Sequence, residues 1–386
     1  VPRLALAHFY FAHLFAAETL GVLDAIGRDD PEHLNDPPIA ALKGAACVLT
    51  GDLNCAADAL GAHGLDGELE VGLWRASLAS ARGDEQAAAN GFLRSASLLP
   101  LYPRVLRARF ALEAAHAMLA TDRGSLAGPL LDLVLNDRAT VANRAMALYL
   151  DGVRLKQVGR LKEALARWDQ AVGSGDPKAA AEARVAKSLA LLATGKMSRA
   201  DAIKALDRER FAWRGGDFEF RLLRKLGELE LAQGDEASGL EALHDAAVYF
   251  PNEPAEKAVV KETSDAFANL FLGGKSNDLP PLQALALYDE FHDLEASGER
   301  HDAIVKQLID RLVAVDLLDR AATLLDEQVK EHLAGAEKAR GATQLALLRL
   351  MNRQPNLALA ALDIAVGPTV PPDLARQRHQ LRARVM

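Results

Sequence analysis

"LYLDGVRLKQVGRLKEALARWDQAVGSGDP", residues 148–177, decides the fold. Gly152 stands seven residues before Gly159, Ala164 follows five later, then Trp168 and Ala171, and Pro177 closes the run. Read as two helices and a turn, each place has a physical reason. Gly152 and Ala164 are small, so the two helices can approach to the close end of the usual interhelix range. Gly159 accepts the left-handed conformation that ends a helix. Trp168 fills the space toward a neighbouring hairpin, and a proline stops the second helix.

The same register returns along the chain. In "LLRKLGELELAQGDEASGLEALHDAAVYFP", residues 222–251, the places hold Gly227, Gly234, Gly239, Leu243 and Ala246, closed by Pro251. In "EVGLWRASLASARGDEQAAANGFLRSASLLP", residues 70–100, they hold Ala76, Gly83, Ala88, Phe92 and Ser95, closed by Pro100. Residues 42–60 supply Gly44, Gly51, Ala56 and Leu60. Residues 4–31 supply Ala7, Leu14, Thr19, Leu23 and Ile26, closed by Pro31. The pattern degenerates at 101–137 and 178–206, where Gly195 and Ala200 keep the turn.

These residues resemble the tetratricopeptide family, whose helix–turn–helix unit repeats at about 34 residues. The resemblance implies an all-α fold, a right-handed α-solenoid of antiparallel hairpins. Residues 1–251 are expected as about seven hairpins. Residues 252–282 break the period: 254–272 reads as one helix, and "GGKSNDLPP" reads as a linker by its composition. Residues 283–386 read as two degenerate hairpins without the turn glycine and a last helix, 373–386, that caps the array. This C-terminal part also resembles the end of large bacterial envelope proteins with tetratricopeptide repeats. The chain opens on Val1 and reads as a processed or excised piece of something longer.

In the family, the first helix of each hairpin lines the concave surface three before, one after and four after its small residue. Carried over, those places hold Leu4, His8 and Phe11; Leu73, Ser77 and Ser80; Tyr149, Val153 and Lys156; and Arg224, Glu228 and Leu231. Trp74 lies beside them. The family's Lys–Asn pair that clamps a peptide carboxylate is missing from every repeat. What remains is a largely apolar inner surface, suited to an amphipathic helix or an extended apolar segment, or to packing against the superhelix's own next turn. Arg221, Arg224 and Lys225 form a basic stripe that either meets an acidic partner or pairs with carboxylates such as Glu228 along the helix.

Composition narrows the function. The 386 residues carry a net charge of −8, which argues against nucleic acid as the main partner, because phosphate binding needs a positive field. The longest apolar stretch, residues 4–22, is broken by His8, His13 and Glu18 and is too polar to span a bilayer. "NLFLGGKS" has Asn269 where a phosphate-binding loop needs its first glycine, and it follows a helix rather than a strand. No His-Glu-x-x-His, no Gly-x-Ser-x-Gly and no local cysteine-nucleophile signature occurs in the sequence. The reading is therefore a protein that is not an enzyme, with no cofactor and no metal. It would scaffold protein or peptide partners, with self-association compatible, in the bacterial periplasm or cell envelope, with the cytoplasm as the alternative. The other functional reading is an accessory or regulatory domain of a larger enzyme or cell-wall-acting protein.

The only cysteines, Cys47 and Cys55, lie four residues on either side of the turn at Gly51. An antiparallel pair sets them at similar heights, so either they bridge, in an oxidising compartment, or they fill a helix interface as small hydrophobes. Mass spectrometry without reductant distinguishes these. A bridge makes the native protein lighter by the two thiol hydrogens, and two alkylatable thiols rule it out.

Overall fold

The computed structural model describes residues 2–30, 32, 36–251, 253–295, 298–364 and 370–385. Pro31, expected to close the first hairpin, lies outside them. Among the described residues every regular element is helical. The chain forms two compact units, Val1–Leu222 and Leu223–Met386.

In the first unit, α1 (Pro2–Ala12) pairs with α2 (Ala16–Asp29), α3 (Pro37–Thr50) with α4 (Leu53–Leu60), and α5 (Leu69–Ala81) with α6 (Glu85–Ser95). Likewise α7 (Arg104–Ala120) pairs with α8 (Gly124–Leu135), α9 (Val141–Gln157) with α10 (Leu161–Val172), and α11 (Pro177–Ala193) with α12 (Arg199–Glu209). From α1 to α9, each first helix also lies beside the first helix of the next hairpin, and the second helix of its hairpin touches that helix too. The hairpins of this unit therefore stack in chain order. The division between units falls within α13 (Gly216–Gln233).

The second unit continues with α14 (Glu236–Tyr249), α15 (Glu256–Leu272), α16 (Pro281–Phe291), α17 (Glu299–Ala314) and α18 (Leu318–Glu331). It ends with α19 (Gly335–Met351), α20 (Pro355–Asp363) and α21 (Pro372–Val385), the last packed on α19 and α20. The α15–α16 pair is spaced by aromatics: Phe267 and Phe271 both lie 6.4 Å, ring centre to ring centre, from Tyr288. Gly273–Pro281 is itself packed. Ser276 is fully buried, Lys275 pairs with Glu236 at 2.7 Å, and the Leu279 carbonyl accepts from Arg311 at 2.6 Å.

The hairpin geometry follows from a few side chains. A Cβ on Gly152 would collide with the indole of Trp168, which is fully buried. On Gly44 it would fall 2.5 Å from Leu60 Cγ, and on Gly227 2.7 Å from Leu243 Cγ. In each case the bulky residue stands sixteen places after the small one. Gly159 turns the chain at φ +77°, with open space around its α-carbon. Where glycine is missing, Leu14, Asp122, Asp316 and Arg353 take the same left-handed conformation, at φ 63°, 56°, 63° and 59°. Asp122, Asp316 and Arg353 give the degenerate hairpins α7–α8, α17–α18 and α19–α20 turns of the same kind.

The turn also starts the second helix. Asp52, Asp84 and Asp235 directly follow left-handed glycines, and each carboxylate accepts from the backbone N–H three residues on. This satisfies one of the free N–H groups of a helix start. Pro177 plays a different part from the expected stop. The second helix α10 already ends at Val172, and Pro177 opens α11 as its first residue behind the Asp176 cap, a position where its missing N–H costs nothing.

Two substitutions separate close approach from turn conformation. Gly159→Ala adds a methyl in open space and should lose about 1 kcal/mol from the left-handed backbone alone. Gly152→Ala must displace a buried indole and should lose more, about 3 kcal/mol. Urea denaturation followed by circular dichroism measures both. Equal losses would contradict the packing argument.

Candidate functional site

The inner ends of α1, α3 and α5 enclose a cleft of about 560 Å³. His8 and Phe11 come from α1, Ala41, Leu42 and Ala45 from α3, and Val71 and Trp74 from α5, with Pro37, Pro38 and Leu65 at its edges. Neighbouring first helices run side by side, so residues of equal register in successive hairpins converge on one surface. The walls are apolar and the alanines of α3 set the depth. The Trp74 ring stands edge-on between Phe11 at 5.9 Å and Phe110 at 4.8 Å, which fixes its orientation.

The rim is acidic. Glu68 and Glu70 are exposed and no Lys or Arg lines the cleft. Glu70 accepts the Tyr102 hydroxyl at 2.8 Å. Burial first, then the Glu70 acceptor and its charge, hold the Tyr102 phenol well above the ordinary range, so it remains a donor. The cleft can seat an apolar surface and place a cation beside two carboxylates. Among the described residues no three His, Cys, Asp or Glu side chains are grouped to hold a metal ion, and no helix is long and apolar enough to cross a membrane.

The structure brings together His8, Phe11 and Trp74 of the residues singled out in the sequence and places the others elsewhere. Leu4 packs against Ala7, Leu23 and Ile39 beneath the surface. Leu73 is fully buried, and buried Ser77 donates to Glu113 at 2.6 Å. Tyr149 and Val153 lean on the core between α9 and its neighbours, and Lys156 is exposed. Burial above all, with Glu182 beside it, pushes the Tyr149 phenol well up. Ala41 and Ala45 had a signal in the sequence. They stand three before and one after Gly44, the family's groove places in the second hairpin.

The basic residues are engaged by carboxylates. Arg221 donates to Glu182 of α11 at 2.8 Å and pairs with Asp217 at 3.2 Å. In the second unit Arg224 Nε donates to Glu262 of α15 at 3.0 Å and approaches Glu228 at 3.5 Å, which also holds Lys225 at 2.7 Å. Arg221 and Arg224 each link two adjacent first helices. Cys47 and Cys55 face one another across the α3–α4 turn with Cα atoms 5.8 Å apart, and the structure joins them as a disulfide.

No family model and no curated protein matches the chain. Several solved structures resemble it in part. One is a tetratricopeptide repeat protein from Parabacteroides merdae, at 16% identity over 68% of this chain and 97% of that one, with a TM-score of 0.48. The apo quorum sensor NprR of B. thuringiensis is 11% identical over 94% of this chain and 98% of its own, at 0.47. The human IFIT1 dimer with m7Gppp-AAAA is 12% identical over 98% and 80%, at 0.46.

Removing Arg221 and removing Lys225 should differ. The Glu182 carboxylate is 6% exposed while Arg221 is 49% exposed. Arg221→Ala therefore strands a buried charge that solvent compensates only in part, a loss of about 2 kcal/mol. Lys225→Ala removes one arm of an open pair and should change stability by less than about 0.5 kcal/mol. Thermal denaturation of the two variants checks the ranking.

Proposed function

We propose that this chain is a non-catalytic scaffold that holds a protein partner, with the cleft between α1, α3 and α5 as its docking site. The cleft itself supports the reading: three successive first helices present apolar side chains to one hollow. Its size suits a few side chains of an amphipathic helix or an extended apolar segment, the modes in which grooves of this kind recognise peptides. The exposed carboxylates of Glu68 and Glu70 favour a partner with a Lys or Arg flanking its apolar face. The Arg221, Arg224 and Lys225 stripe contributes through its ion pairs to the joining of neighbouring helices, and the docking surface lies elsewhere.

The compartment proposed is the bacterial cell envelope. The Cys47–Cys55 pairing supports it, because bridges between thiols persist where the surroundings are oxidising. In that setting the stacked hairpins would present their surfaces to other proteins and organise an assembly, with no cofactor.

Ala41→Arg tests the docking site, since Ala41 is half-buried on the cleft wall and a guanidinium there occupies the space of the partner's side chains. Affinity enrichment from an envelope fraction with both proteins should recover partners on the original chain that Ala41→Arg loses, while its melting temperature stays within about 2 °C of the original. Recovery of the same partners on both proteins would move the docking site away from the cleft.

A further inference from the structure

The turn that joins α12 to α13 sets two aromatic side chains among arginines, in "RERFAWRGG", residues 208–216. Phe211 is 74% exposed, Trp213 is half-buried, and Arg208 and Arg214 are exposed on either side. Earlier connections between hairpins, residues 136–140 and 173–176, carry no aromatic. The backbone holds this turn in shape. The Phe211 N–H donates to the Arg208 carbonyl at 3.4 Å, the Ala212 N–H to the Glu209 carbonyl at 3.1 Å, and the Gly215 N–H to the Glu219 carboxylate. A side chain presented on an ordered turn loses less freedom when a partner buries it. The charge around Phe211 is basic on balance. Glu209 is buried against Arg184, Asp207 lies 3.7 Å from Arg210, and Glu219 is 16% exposed, 3.9 Å from Arg214.

The cleft between α1, α3 and α5 has the opposite character. Its walls are apolar, and Phe11 and Trp74 offer ring faces and edges to an entering aromatic. Its exposed carboxylates are those of Glu68 and Glu70, and no Lys or Arg lines it. At about 560 Å³ it has room for one aromatic ring and the residues beside it.

We propose that the cleft receives a second copy of this chain, with Phe211 of one copy seated between α1, α3 and α5 of the next. The inference rests on the reading of the cleft as the docking site. Charge supports it. The chain carries a net −8, so two copies repel in most approaches, but this approach sets Arg208 and Arg214 beside Glu68 and Glu70. Burial supports it too, since the contact takes from water the most exposed aromatic side chain of the described residues. The two surfaces differ, so the contact is head-to-tail. Each copy offers its turn to one neighbour and its cleft to another, and growth beyond two chains follows.

Sedimentation equilibrium of the whole chain over about 1 to 200 µM tests this, a range suited to a contact of less than standard interface size. The mass of the original protein should rise with concentration above 41.4 kDa. Phe211→Glu and Ala41→Arg should each stay at the single-chain mass, and Phe211→Ala should weaken association about tenfold. Glu68→Lys, on the exposed rim, should weaken it about fivefold. Tyr249→Glu, at an exposed aromatic outside the turn, should associate as the original does. An equimolar mixture of Phe211→Glu and Ala41→Arg pairs one intact turn with one intact cleft, so its mass should rise to two chains and stop there. All variants should retain the helical circular dichroism of the original. A single-chain mass for the original, association that survives Phe211→Glu or Ala41→Arg, or a mixture that stays at one chain would overturn the proposal. If Ala41→Arg loses other proteins from the envelope fraction while the original stays at one chain, the cleft remains a docking site and the second copy is excluded from it.

Discussion

Everything in this protein depends on two helices passing close enough for a bulky side chain of the second to lie over the backbone of the first. Gly152 under Trp168, Gly44 under Leu60 and Gly227 under Leu243 are three instances at one spacing. The contact depends on a tight reversal, which a left-handed residue seven places after the small one supplies. An aspartate next in sequence often starts the return helix. Neither helix buries its apolar face alone. The hairpin buries one side, and the neighbouring hairpin buries the next.

Stacking of this kind leaves the first helices side by side, and the charged groups use that adjacency. Arg221 with Glu182, Arg224 with Glu262, and Arg300 with Asp265 at 3.1 Å each join two consecutive first helices. These pairs add direction to contacts that apolar packing leaves less specific, and they use up basic groups that would otherwise attract anions. The cleft between α1, α3 and α5 lies apart from these pairs, with apolar walls and the exposed carboxylates of Glu68 and Glu70 at its edge.

The hairpins marked by glycine were legible in the sequence because glycine is required there for a backbone reason. The α7–α8, α17–α18 and α19–α20 turns were harder to see. Asp122, Asp316 and Arg353 adopt the left-handed conformation at a cost that surrounding packing overcomes, and no residue type announces that in advance. At the site, the groove register carried from the family includes His8 and Phe11, which line the cleft, but such a register does not tell an open position from one closed by a neighbour. Leu73 and Ser77 hold groove places and are buried, Ser77 against Glu113 of α7. Arg221 and Arg224 read as a stripe because their partners, Glu182 and Glu262, stand about one repeat away in sequence, beyond the spacing of pairs within one helix.

The register itself is most directly tested by backbone chemical shifts at the four turns that lack glycine. If one packing rule governs the whole array, Leu14, Asp122, Asp316 and Arg353 will each show left-handed values between two helical segments. Ordinary helical or extended values at those residues would mean that the degenerate segments reverse by another route, and that hairpins of a single design do not run through the chain.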